Sequence, residues 1–366
     1  RSEITTRLWL LDPTRPGEGR TLADLPGGGW SASAVAANDS QLALRRYLSA
    51  NASEVWLMDL ASGQRRPLLP APGSPAASMN PVHFSSDGRT LYLLSDAAGE
   101  FRELVALDLA SGAQQRLTRH LPWDVEVVEP SADGGSLALR VNVDGRSELR
   151  LIDTGTGQER SLPRLPAGSV GALEFHPLRQ ELAFSVSNAQ APVQLFTLDL
   201  PSGRVHPWTR ARLNPSLDAS RFAEQRIVRW PSFDGRTISG LLSKPDARFT
   251  GRRPVLIDIH GGPESQARVG FGGRSAYYTH ELGMAVLRPN VRGSSGYGKT
   301  FLALDNGRLR EECLHVQWFA PLEDAQQKVD AFRWDWNEHR PHRALAGLSP
   351  RDYAQRVTMT AADSPS

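Results

Sequence analysis

An internal period of about 47 residues constrains this chain more than any other feature, since repeats of this length mark blades, solenoids or arrays. Leu8 to Asp12 reads LWLLD, Val55 to Gly63 VWLMDLASG, Leu104 to Gly112 LVALDLASG, Leu149 to Gly157 LRLIDTGTG and Leu195 to Gly203 LFTLDLPSG. The aspartates Asp12, Asp59, Asp108, Asp153 and Asp199 mark the same point in each copy. Each copy is an alternating apolar strand that runs into a turn, where the carboxylate accepts hydrogen bonds and the glycine supplies positive φ. A second short strand follows, as at Gln64 to Leu69 and Ala113 to Thr118. Between copies, Val82 to Leu94 reads as a hairpin with its turn at Asp87-Gly88. Val35 to Leu44, Val127 to Val141 and Leu173 to Val186 repeat that pattern. Four short strands per period without helical spacing predict a β-propeller with four-stranded blades, the alternative being an irregular all-β domain. With Arg1 first and Leu8 already in a third strand, the expectation is a partial propeller, an arc of a little over four blades. Its open sheet edges would favour self-association.

Near Ser220 the pattern changes. Arg226 to Leu242 reads as a hairpin turning at Asp234-Gly235, and Pro254 to Ile259 as a buried strand ending in His260-Gly261-Gly262-Pro263. A buried strand that stops at a glycine pair is typical of an α/β sheet whose strand ends build a site. A helix over Arg274 to Leu282 and a second buried strand over Met284 to Leu287 follow. They lead into a glycine- and serine-rich loop, Arg288 to Gly298.

The repeats followed in order by SFDGRTISG, HGGPESQ and RPNVRGSSGYG resemble the prolyl oligopeptidase family of serine peptidases, over roughly residues 1–307. The resemblance implies a propeller that screens peptides by size, joined to the N-terminal portion of an α/β-hydrolase domain. It also implies that His260, Gly261, Gly262 and Pro263 form a loop beside the oxyanion hole, where backbone N–H groups face developing negative charge. Asn290, Arg292, Gly293, Ser294, Gly296, Tyr297 and Gly298 match a loop lining the same cleft.

No catalytic residue is assigned. A hydrolase nucleophile sits on a G-x-S-x-G elbow, with its acid and histidine later in the chain. Gly293-Ser294-Ser295-Gly296 lacks that spacing, and Gly347-Leu348-Ser349-Pro350 has no second glycine. His260 precedes any nucleophile and is read as a structural or loop-orienting residue, not a triad base.

A seam falls near Asn306-Gly307. Beyond it, Pro321, Glu323 and Asp324 read as a helix start. Leu322, Ala325, Val329, Phe332 and Trp336 follow at helical spacing. NGRLREECL, WF-x-x-LEDA and N-E-x-RPH-x-AL-x-x-L-x-P, in that order, resemble the C-terminal end of insertion-sequence transposases with a DDE-type integrase core. Such cores hold two metal ions on carboxylates. The family's glutamate, three positions before Asn-Gly, is Ala303 here, so no metal triad is expected. Glu311 and Glu312 are read as a solvated helix face, and His339 and His342 as a structural turn. A mobile element inserted into a peptidase gene would produce such a frame.

The expected division is therefore 1–219, partial propeller; 220–307, truncated α/β-hydrolase; and 308–366, a short helical integrase-like tail. At 366 residues, 40% hydrophobic and 22% charged, the chain is long enough for two domains. Formal net charge is +2, with lysine only at Lys244, Lys299 and Lys328. From Arg308 onward eight lysines and arginines face nine acids, which disfavours DNA binding by the tail alone. The single Cys313 excludes an internal disulfide. No apolar run reaches the roughly 20 residues that span a bilayer, so no membrane contact is expected. No signal peptide is visible, but with the N-terminus reading as truncated this does not assign a compartment, and the location is left open with the cytoplasm favoured. No cofactor is implied. Peptides are the expected ligands. Three functions compete: a peptidase remnant without a nucleophile, a DNA-integration protein, and a non-catalytic peptide-binding propeller. Missing metal carboxylates count against the second, and peptide affinity without turnover marks the third.

Overall fold

In the computed structural model the described residues are 4–304, apart from 16, 213, 215–217, 233, 262 and 263, together with residue 351. The seam, the tail helix, Glu311, Glu312, Cys313, His339 and His342 lie outside them, as do Gly262 and Pro263. The first blade has two strands, β1 (Thr5–Leu10) and β2 (Arg20–Pro26). The second has β3 (Trp30–Val35), β4 (Gln41–Ser49), β5 (Ala52–Asp59) and β6 (Arg65–Leu69), and the third β7 (Met79–Phe84), β8 (Thr90–Ser95), β9 (Glu103–Asp108) and β10 (Gln114–Arg116). The fourth has β11 (Asp124–Pro130), β12 (Ser136–Val143) and β13 (Arg146–Asp153), and the fifth β14 (Ser169–Phe175), β15 (Glu181–Ser187), β16 (Gln194–Asp199) and β17 (Val205–Pro207). Strands within a blade pair antiparallel in chain order, and the first strands of successive blades pack against one another, which puts them innermost. This is a partial β-propeller.

The repeated turn explains why each third strand stops where it does. Asp59 Oδ1 accepts from Ser62 N and Oγ, both at 2.7 Å, while Asp108, Asp153 and Asp199 take the same bonds from Ser111, Thr156 and Ser202. Gly63, Gly112, Gly157 and Gly203 follow with φ between 67° and 76°, a conformation that disfavours any side chain. The fourth blade departs from the expected four strands. After β13 only an isolated bridge, Ile152 to Glu159, stands in place of the last strand. Pro163 and Pro166 lie just beyond it and have no N–H to offer a ladder.

Side-chain alternation glues the blades. On β12, Leu137, Leu139 and Val141 pack with Leu94 and Leu104 of the third blade, whereas Ala138 lies with Leu182, Phe184, Val186 and Leu198 of the fifth. Residues i and i+2 share a face, so one strand serves both interfaces. Burial of each such leucine or phenylalanine is worth about 1.5–3 kcal/mol.

Every innermost strand of the second to fifth blades carries a register shift, at Ala32/Ala34, Pro81/His83, Val125/Val127 and Val170/Leu173. Near the ends of three of these strands lie His83, Glu129 and Glu174. Burial, then the charge of Glu174, pushes the Glu129 carboxyl up to about 7, and burial holds His83 below its ordinary value. His83 Nε2 and Glu129 Oε2 are 3.7 Å apart, and both shifts favour the neutral forms. Because the folded-state value lies above the ordinary 4.5, the folded form keeps the extra proton, and stability falls as pH rises from about 4.5 to about 7. Glu129→Gln is expected to flatten that fall. Partial exposure limits the effect to about 1–2 kcal/mol, read as the difference in urea midpoints between about pH 5 and about pH 8. A variant with the wild-type pH slope would remove Glu129 as its source.

Beyond a 3-10 turn at Ala219–Arg221 come β18 (Gln225–Pro231), β19 (Thr237–Ser243), β20 (Val255–Ile257), α1 (Gly273–His280), β21 (Ala285–Asn290) and α2 (Lys299–Ala303). The sheet order is β18-β19-β21-β20, with β20 and β21 parallel and the other pairs antiparallel. The hairpin turns at Gly235 (φ 79°), as expected. The strand expected over Pro254 to Ile259 is shorter and only half-buried, because β20 is an edge with one neighbour. β21 instead runs on through Arg288 and Pro289 to Asn290, residues expected in the following loop. Gly240 on β19 permits this pairing: a Cβ there would sit 3.0 Å from the Arg288 carbonyl oxygen and 3.1 Å from Pro289 Cα.

Candidate functional site

Parallel pairing brings the C-terminal ends of β20 and β21 side by side, and the loops that leave them carry the candidate residues. His260 Nε2 lies 2.9 Å from Ser294 Oγ. At first sight this is a nucleophile and its base. Ser294 Oγ, however, donates its one proton to the Val291 carbonyl at 2.6 Å. His260 Nε2 is then the donor to Ser294, a tautomer assigned from the network. Ser294 is also fully buried. An acylating serine needs a free approach to a carbonyl carbon and an acceptor for its proton, and Ser294 has neither. The pair fixes the turn at Gly293 (φ 81°). Gly261 is exposed, and a Cβ added there would meet nothing within 4 Å, so its backbone borders open space.

Of the remaining loop residues, Gly296, Tyr297 and Gly298 face the propeller. Asn290 is fully buried; its Oδ1 accepts from Ala267 N at 2.6 Å and its Nδ2 donates to Tyr297 Oη at 2.7 Å. Tyr297 in turn donates to Asp144 Oδ1 at 2.8 Å. Burial first, with the Asp144 charge adding to it, pushes the Tyr297 phenol up to about 12, so it stays a donor. Asp144, in the turn between β12 and β13, also accepts from Ser239 Oγ at 2.5 Å and from Arg229. Gly296 (φ 88°) is a position for glycine alone, since a Cβ would fall 2.4 Å from Asn142 Nδ2. Gly298 (φ 89°) approaches Glu100. Arg292 pairs with Asp234 at 2.6 Å.

Other bonds reinforce this junction. Arg268 grips Glu126 at 2.5 and 2.9 Å and donates to Ser147 at 2.7 Å. Asn142 Nδ2 donates to Gln266 Oε1 at 2.7 Å. Lys299 Nζ donates to the Asp96 carbonyl at 2.9 Å, and Thr300 Oγ1 to Glu100 at 2.7 Å. Sequence reasoning missed Asp144, Asn142, Glu126 and Arg268. The Asp144-Gly145 dipeptide was a visible turn signal, but nothing in it names partners on a distant sheet. Among the described residues no group of three or more His, Cys, Asp or Glu is placed to hold a metal ion. No helix among them is long and apolar enough to cross a membrane.

Residues 30–211 match the prolyl oligopeptidase N-terminal β-propeller domain, and residues 305–350 match the integrase core domain. The chain is 27% identical over 297 residues to dipeptidyl aminopeptidase BIII of Pseudoxanthomonas mexicana, covering 77% of this chain and 40% of that protein. It is 32% identical over 175 residues to an uncharacterized protein of insertion element IS407 from Burkholderia multivorans, covering 48% of this chain and 60% of that protein. The fold resembles a crystal structure of puromycin hydrolase, with a TM-score of 0.69 at 20% identity over 87% of this chain and 48% of the other. The chain thus spans 40% to 60% of these relatives' lengths.

Proposed function

We propose that this chain, which joins a prolyl oligopeptidase N-terminal β-propeller (residues 30–211) to an integrase-core segment (residues 305–350), is a peptidase remnant that can hold peptides but cannot acylate. Its parts are the partial propeller at 1–219, the N-terminal portion of an α/β-hydrolase domain at 220–307 and the integrase-like tail at 308–366. The observation that carries this reading is the committed Ser294: buried, donating to Val291 O and receiving from His260. No serine in the chain occupies a G-x-S-x-G elbow. The open backbone at Gly261 and the sequence match of His260 to Pro263 support an oxyanion-side loop without a nucleophile to serve. Tyr297, Gly296 and Gly298 act in this reading as the joint that holds the cleft wall to the propeller.

The tail match favours a second reading, DNA integration. Ala303 at the position of the metal-binding glutamate and the excess of acids in the tail count against it.

Purified protein is expected to give no labelling with a fluorophosphonate serine probe and no turnover of proline- or alanine-terminated chromogenic peptides. Labelling at a mapped serine would overturn the reading. Magnesium-dependent nicking or strand transfer of DNA would restore the second one.

A further inference from the structure

The propeller face that meets the α/β sheet is the end at which first strands begin and second strands finish. Met79 pairs with Ser95 at that end of the third blade and Asp124 with Asn142 at that end of the fourth. The bonds from Lys299, Gln266 and Tyr297 arrive there, at Asp96, Asn142 and Asp144. In the second blade the same end pairs Trp30 with Arg46, so Arg45, Arg46 and Tyr47 stand on this face, one blade farther round.

Arg45 differs from the arginines around it. Arg46 lies 3.6 Å from Glu54, and Arg102 is bound to Asp124 at 2.9 and 3.2 Å. Among the described residues Arg45 has no carboxylate and no hydrogen-bond acceptor. Its Nε, like that of Arg46, is enclosed without a partner, and its guanidinium lies 5.3 Å from the centre of the Tyr47 ring, so what sets it apart is the missing carboxylate. Burial lowers its pKa; Tyr47 opposes this, and the charge of Arg102 adds to the lowering. A half-buried cation next to another cation is costly unless an anion answers it. Because Arg102 is matched by Asp124, and Arg46 by Glu54, the place offers one unmatched positive charge. One planar monoanion fits the guanidinium fork.

We infer that Arg45, backed by Tyr47, is a binding site for a single peptide carboxylate, supplied by a free C-terminus or by an Asp or Glu side chain. The assignment rests on the peptide-holding reading above for its ligand, and on the unmatched guanidinium for its chemistry.

The test is calorimetric titration of the full chain with three acetylated peptides: Ala-Ala-Ala with a free C-terminus, the same peptide amidated, and amidated Ala-Asp-Ala. At least one carboxylate peptide is expected to bind about ten- to a hundredfold more tightly than the amidated trialanine. Arg45→Gln is expected to abolish that difference, and Arg45→Lys to keep part of it. Preference for the free C-terminus identifies the chain end as the source, and preference for Ala-Asp-Ala the side chain. Equal binding of all three by the wild type overturns the carboxylate site and leaves the peptide reading standing. Should no peptide bind, the peptide reading falls, and acetate decides the site alone. Acetate is expected to raise the wild-type melting midpoint above matched chloride and not that of Arg45→Gln, and equal shifts overturn the site. Arg45→Gln should melt close to wild type, because only the ring contact with Tyr47 and no ion pair is lost. A marked drop would show a structural partner and overturn the assignment.

Discussion

Asp144→Ala is expected to lower the unfolding free energy by about 2–4 kcal/mol, the cost of leaving two hydroxyl donors without their acceptor. The carboxylate is 2% exposed and receives Tyr297 Oη, Ser239 Oγ and Arg229. Arg229 is more than half exposed and regains water once freed, so its share is small. The cost falls on the half-buried Tyr297 hydroxyl, which keeps Asn290 Nδ2 as a donor to it, and on buried Ser239. Asp144→Asn is the informative companion. Asparagine tolerates the φ of 51° found there and still offers one acceptor oxygen, so about 1–2 kcal/mol of loss is expected. Urea unfolding followed by both tryptophan fluorescence and far-ultraviolet dichroism checks the result. Because Asp144 joins the propeller to the sheet, the two probes should separate in the alanine variant if docking is lost before the blades unfold. A wild-type midpoint for Asp144→Ala would mean that the junction is held by Arg268 and Lys299 without it.

Asp144 also shows what a sequence can and cannot carry. Asp87-Gly88 and Asp144-Gly145 are the same dipeptide in two antiparallel hairpins, one joining the first and second strands of the third blade and the other the second and third strands of the fourth. Asp87 spends its carboxylate on Ser85 Oγ and Arg89 N, two residues away on either side. Asp144 spends its own on partners 85, 95 and 153 residues away. Local chemistry decides turns, alternation and blade period, which is why the repeated Asp-x-x-Ser-Gly turn and the hairpins could be read directly. The sheet order β18-β19-β21-β20 is a long-range fact, and it makes the apolar run after Pro254 an edge rather than a buried strand. The same parallel pairing sets His260 beside Ser294, 34 residues on. The sequence search rejected Ser294 on spacing. The structure adds the physical reason, a proton already committed to Val291 O. Asn290, placed by sequence in a cleft-lining loop, ends a strand because its side chain closes on the Ala267 backbone.

The fifth blade offers a second large effect with a built-in control. Phe184 is 1% exposed and stacks on Phe196 with ring centres 5.7 Å apart, filling the interface with the fourth blade. Phe184→Ala is expected to cost about 3–5 kcal/mol, from lost transfer energy and the cavity left between blades that cannot close on it. On the opposite face, Leu195 is 48% and Trp208 66% exposed. Trp208 reaches across to donate to Thr197 Oγ1 at 3.1 Å, on the side of β16 away from Phe196. Trp208→Ala should cost under about 1 kcal/mol, since mostly exposed atoms are removed. Melting of both variants over a range of protein concentrations separates two origins of any larger cost. In a monomer neither value moves with concentration. If a second copy covers the Trp208 face, wild-type stability rises with concentration, the Trp208→Ala penalty grows with it, and the Phe184→Ala penalty stays constant. The contrast follows from one strand, β16, whose alternate residues face a packed blade on one side and none among the described residues on the other.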